Sequence, residues 1–99
     1  MPTVSWTPTA QAELDEITQF LLKSGQSTRA VETIARELLA DCDRYAGFPR
    51  LGAASPEIGE NCRVFSHKRW AIIYRPNQEG ITVVGVVDAA RDYPAWRRP

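Results

Sequence analysis

Apolar positions in the first half of the chain recur at helical spacing. Ala10, Leu14, Ile17 and Leu21 follow one another at steps of four, three and four, which sets them on one face of a 3.6-residue period while Glu13, Asp15, Glu16 and Gln19 point elsewhere. Thr7 can accept the first free N–H groups of such a helix, and Pro8 fits a first turn where its missing donor costs nothing. Ser24-Gly25 supplies a stop and Ser27-Thr28 a new cap, after which Val31, Ile34, Ala35, Leu38, Cys42 and Tyr45 form a second stripe. The spacing predicts helices over residues 9–23 and 28–46. Joined by so short a connection, they must lie antiparallel.

Elsewhere the period is two. Thr3-Val4-Ser5-Trp6 alternates and carries β-branched and aromatic side chains, so residues 3–6 read as a short strand. Gly47-Phe48-Pro49 ends the second helix, and the stretch to Asn61 shows no sustained period and reads as a long loop. Strands then follow near residues 62–66, 70–75 and 81–87, linked by connections short enough for hairpins, which predicts an antiparallel meander. Ile81 to Val87 is apolar at nearly every position, the signature of a central strand or one covered on both faces. The expected fold is α+β in the order β-α-α-β-β-β, one domain over residues 1–99, with the helical hairpin on one face of a small, mainly antiparallel sheet. Leu14, Ile17, Leu21, Ile34, Leu38, Ile72, Val84 and Val86 are its expected core.

With 99 residues, 43% of them hydrophobic, the chain can build one modest core. Twelve basic and twelve acidic residues cancel, which disfavours a generally basic nucleic-acid binder and gives no hold on an anionic membrane. The cancellation hides a division: residues 1–47 carry seven acids and four bases, and residues 48–99 carry eight bases and five acids. Uncharged runs fall far below the roughly 20 apolar residues a spanning helix needs, and the first residues lack a basic stretch followed by an apolar one, so the cytoplasm is expected. Cys42 and Cys62 have no metal-ligand spacing and are expected to be buried free thiols.

Candidate chemistry is sparse. His67 is the only histidine and falls at a predicted hairpin turn, where an exposed side chain is expected. The six glycines never approach phosphate-loop spacing. No catalytic residue, metal or cofactor is expected. The densest group of interface-type side chains is Arg91, Asp92, Tyr93 and Trp96, just after the last strand; arginine and large aromatics combine contact area with a polar end.

Over nearly its full length the chain resembles the ParE/RelE superfamily of bacterial toxins from type II toxin–antitoxin modules, and within it the ParE branch. The resemblance rests on Val4-x-Trp6-Thr7-x-x-Ala10, Leu14-x-x-Ile17, Ala30, Pro49-x-x-Gly52, Arg63, Ile72-x-Tyr74-Arg75 and the closing Ala90-Arg91-Asp92. Asp88 departs from it, standing where many ParE-like chains have histidine. A ParE-like chain implies poisoning of DNA gyrase by protein contact, relieved by a ParD-like antitoxin in a hetero-oligomer, with no direct sequence-specific DNA binding and no membrane. Under that resemblance Arg91, Asp92, Tyr93 and Trp96 are the expected target contacts, and Arg63 and Arg75 the expected antitoxin contacts. A RelE-like chain instead implies ribosome-dependent messenger RNA cleavage, for which Arg63, Arg75, Arg91 and Tyr93 are the available members, without an obvious base. A non-toxic interaction module of the same fold is the third reading.

Overall fold

The computed structural model describes residues 1–89, so Arg91, Asp92, Tyr93 and Trp96 lie outside the described residues. The elements are β1 (Thr3–Trp6), α1 (Pro8–Lys23), α2 (Thr28–Gly47), β2 (Ala53–Ala54), β3 (Arg63–His67), β4 (Trp70–Asn77) and β5 (Gly80–Asp88). All expected elements are present. The one addition is β2, two residues too short for any periodicity to reveal.

Both helices start as their caps dictate. The Thr7 and Ser27 side chains each accept the N–H three residues on, at 3.1 Å. α1 ends where Gly25, at φ 95°, lets Gly25 N–H reach Leu22 O and Gln26 N–H reach Leu21 O, both at 3.1 Å, which turns the chain into α2 within four residues.

The strands form one mixed sheet in the order β1-β5-β4-β3-β2, with β1 parallel to β5 and the remaining pairs antiparallel. Strand β5 is therefore internal, flanked by β1 and β4, and β4 takes the sheet centre. The apolar run of β5 does not alternate cleanly because of a bulge: Ile73 pairs with Gly85 and Tyr74 with Val83, leaving Val84 as the extra residue. The slip resets the side-chain parity. Ile81, Val83 and Val86 all face the helices, while Val84 and Val87 join Ala71, Ile73 and Cys62 on the opposite face.

The helix-side core combines Leu21, Val31, Leu38, Cys42 and Ala46 with Phe65, Trp70, Ile72, Tyr74 and the β5 residues. Leu14, Ile17 and Ile34, expected in the core, pack against it but stay partly open to solvent. Both cysteines are free and buried, as expected. Burial, with Asp41 and Asp43 adding to it, pushes the Cys42 thiol from 9.0 up to about 12.

Two contacts close the edge of β5. Strand β1 ends at Trp6, so the Val86 N–H beyond it has no strand partner and donates instead to Glu13 Oε1 of α1 at 2.9 Å. At the other end the β4–β5 turn is set by Asn77, whose Oδ1 accepts Glu79 N–H at 2.8 Å, and by Gly80 at φ 152°. A Cβ on Gly80 would collide with the backbone of Thr3, which donates its N–H to Glu79 O at 2.7 Å. Gly80→Ala is therefore expected to lower stability by about 2–4 kcal/mol, because both the φ angle and the seat of β1 are lost. Gly47→Ala, with open space around it, should be neutral or stabilising by about 0.5 kcal/mol. Urea midpoints of the two variants check the contrast.

Candidate functional site

Four of the residues that carried the sequence resemblance, Pro49, Gly52, Arg63 and Tyr74, converge on one place. After α2 the chain runs through Pro49-Arg50-Leu51-Gly52 without regular structure, and its backbone polar groups need partners. Tyr74 and Arg63, which face each other across β3 and β4, supply them. The Tyr74 hydroxyl donates to Pro49 O at 2.7 Å and accepts Gly52 N–H at 3.0 Å. Arg63 Nη1 donates to Arg50 O at 3.0 Å and to Gly52 O at 2.6 Å. A Cβ on Gly52 would enter the Tyr74 ring, which is why the fourth position of the Pro49-x-x-Gly52 motif has no side chain. Tyr45 and Phe65, stacked at 4.0 Å, hold the Tyr74 ring from the side, with Tyr45 at 6.0 Å and Phe65 at 5.9 Å. So clamped, the loop presents Phe48 and Leu51 to solvent, 69% and 60% exposed, at the rim of a cleft of about 580 Å³ that Arg50 and Pro76 also line.

Arg63 and Arg75 do not form one basic surface. Arg63 lies on the helix side with its cross-strand partner Tyr74. Arg75, one residue further along β4, points to the opposite face, where its Nε donates to Glu60 O at 3.2 Å and its guanidinium stays exposed.

His67 corrects the sequence reading. The β3–β4 hairpin connection is only Lys68-Arg69, and His67 is the last residue of β3, paired with Trp70. On the same face as Phe65, its side chain is 12% exposed and meets α2: Nδ1 lies 2.9 Å from Asp41 Oδ2, and the buried Nε2 faces Glu37 Oε1 at 3.6 Å. An Asp–His pair is thus present, but its outer nitrogen is aimed at a carboxylate and not at a hydroxyl or thiol that it could activate.

The tract carrying Arg91, Asp92, Tyr93 and Trp96 departs from a fixed point. Asp88, last in β5 and 6% exposed, accepts from Arg69 Nε at 3.1 Å and also from Arg69 Nη2, while Ala89 N–H donates to Arg69 O at 2.9 Å. Arg69 in turn lies over the Trp70 ring at 4.7 Å. Sequence reasoning noted Asp88 only as a departure and missed this lock. The hairpin register, which sets Trp70 opposite Asp88, is the signal that could have found it.

Tyr74→Phe removes the hydroxyl from a buried N–H and a carbonyl and is expected to cost about 1–3 kcal/mol in urea denaturation. Its pH dependence is a second check. Burial outweighs the Gly52 N–H bond and raises the Tyr74 hydroxyl above 10.0, so the folded chain holds this proton more tightly than the unfolded one. Stability contributed in this way is complete below pH 10.0 and is lost as pH rises through the folded value; Cys42 acts the same way between 9.0 and about 12. In Tyr74→Phe the part of the alkaline fall above 10.0 that belongs to tyrosine should disappear and the Cys42 part remain.

Three comparisons bear on this arrangement. A family model described as the ParE toxin of a type II toxin–antitoxin system, parDE, matches residues 4–93. Toxin ParE3 of Caulobacter vibrioides is 33% identical over 52 residues, so the chain spans about half the length (52%) of this curated relative. A solved structure described as the chromosomal ParDE TA system from P. aeruginosa superposes with a TM-score of 0.73 over 89% of this chain and 96% of that one. At 16% identity that likeness is one of fold.

Proposed function

Because the chain belongs to the ParE toxin family of type II toxin–antitoxin systems, we propose that it stops bacterial growth by binding DNA gyrase through the tract after β5. In this reading it acts in the cytoplasm, and a ParD-like antitoxin neutralises it in a hetero-oligomer. Arg91, Asp92, Tyr93 and Trp96 are the target contacts, on a segment that starts from the Arg69–Asp88 lock.

The observation that favours contact over RNA cleavage is the dispersal, among the described residues, of the polar side chains a nuclease would gather. Cleavage needs a base, a phosphate clamp and an acid around one concavity. Arg63 spends its Nη1 on two loop carbonyls, the Tyr74 hydroxyl spends its proton on Pro49 O and accepts Gly52 N–H, Arg75 lies on the other face, and His67 is held between Asp41 and Glu37. For the antitoxin, Arg75 is the exposed member of the expected pair. A single segment would meet both Arg63 and Arg75 only by passing round the sheet edge at β2, which supports an extended or wrapping partner.

The test is a supercoiling assay with purified chain beside a translation assay. Loss of supercoiling with intact message is expected, and cleaved message with normal supercoiling would overturn the reading. Growth that continues on expression without antitoxin would leave the non-toxic module. Arg91→Ala with Trp96→Ala should abolish gyrase inhibition while the melting temperature and antitoxin binding hold; a double variant that still inhibits places the target contacts elsewhere.

A further inference from the structure

A second surface lies away from the Tyr74 clamp. Between the start of α2 and the β3–β4 hairpin there is a cleft of about 660 Å³. Its floor is apolar, with Leu21, Ile34 and Trp70, and its charged lining residues are Arg29, Lys68 and Arg69, with no acid among them. Lys68 and Arg69 come from the basic half of the chain, residues 48–99, and Arg29 joins them from the acidic half. Two of the three cations have partners, Lys68 with Glu37 at 3.5 Å and Arg69 with Asp88, yet they remain 57% and 50% exposed. Arg29 stands beside them in the first turn of α2, where the helix dipole adds positive potential. The apolar surface continues outward to Phe20, 45% exposed, whose ring lies 6.0 Å from the Arg69 guanidinium.

Resting on the toxin reading above, we propose that this cleft receives an acidic segment of the antitoxin, with an apolar side chain seated on Leu21, Ile34 and Trp70 and flanking carboxylates against Arg29, Lys68 and Arg69. Charge complementarity selects an acidic occupant, and the apolar floor selects a protein segment over a nucleic acid. Trp70 is only 4% exposed and offers no ring face to a base. Arg69 can serve both neighbours: Asp88 takes Nε and Nη2, which leaves Nη1 for an incoming carboxylate.

The experiment measures binding of the full chain to the product of the adjacent gene, at low salt and at about 300 mM salt, with a 20-nucleotide poly(U) RNA as second probe. Two variants carry it, Arg29→Glu with Lys68→Glu to reverse the rim, and Thr33→Trp to fill the cleft without changing charge. Each should weaken antitoxin binding at least about tenfold with the melting temperature unchanged, and the loss from charge reversal should shrink at high salt. Wild-type affinity in both folded variants overturns the inference and leaves the toxin reading standing. No binding by the wild-type chain overturns the partner reading itself. Poly(U) binding that falls with rim reversal, beside unchanged antitoxin binding, makes the cleft a nucleic-acid site and overturns the inference.

Discussion

The 49–52 stretch leaves the end of α2 and crosses to the sheet without entering either, so its carbonyl and amide groups must find hydrogen bonds outside regular structure or remain buried without partners. One phenol and one guanidinium meet that demand, four bonds in all, from adjacent positions on β3 and β4. Much else follows from the clamp. It fixes where α2 stops relative to the sheet, brings β2 alongside β3, and holds Phe48 and Leu51 outward in spite of their apolar side chains. It also consumes Arg63, one of the expected contact residues, together with Tyr74 of the Ile72-x-Tyr74-Arg75 motif. Their spacing along the chain is what a clamp between a loop and two strands requires.

Legibility in the sequence tracked the range of the determining interaction. The helices were readable because caps and stripes act within a few residues, and the meander because hairpin turns do. The bulge at Val84 was not, since an unbroken apolar run hides a change of parity that only pairing with β4 defines. His67 was misread for a related reason. A turn position predicts exposure, whereas extending period two from Phe65 by one step puts it on the helix face, against Asp41 and Glu37, which are themselves one helical turn apart on α2. Arg63 and Arg75 are paired in the sequence only as expected antitoxin contacts; Arg63 shares a face with its cross-strand partner Tyr74, and Arg75, next to Tyr74 on β4, takes the other. The motif residues of the clamp were legible as a resemblance without their geometry being so, because a 22-residue separation links Gly52 to Tyr74.

Zero net charge describes this chain poorly. Its ionic groups are sorted: Asp41 and Glu37 around His67 on the flank of α2, Asp88 under Arg69, and three cations around an apolar floor next to the same hairpin. For exposed pairs such contacts are worth little for folding. Their weight lies in what they arrange. The Arg69–Asp88 bond joins the hairpin to the end of β5, so the point from which the Arg91–Trp96 tract departs and the rim of the cationic cleft are built from one guanidinium.

That sharing bears on how a small toxin domain can be both active and neutralisable. The described residues, two helices on five strands, leave little surface to divide between a target and an antitoxin, and two partners using the same residues would compete directly. Here the surface proposed for an acidic partner and the end of β5, from which the proposed target segment continues, share Arg69, and Asp88 engages only part of its donor set. A partner seated in the cleft would therefore reach the Arg69 guanidinium with the lock intact. It would have no need to pull Asp88 from its burial. The energetic case favours this arrangement: stripping a buried carboxylate of its arginine costs several kcal/mol, whereas adding a carboxylate to a half-exposed guanidinium costs little.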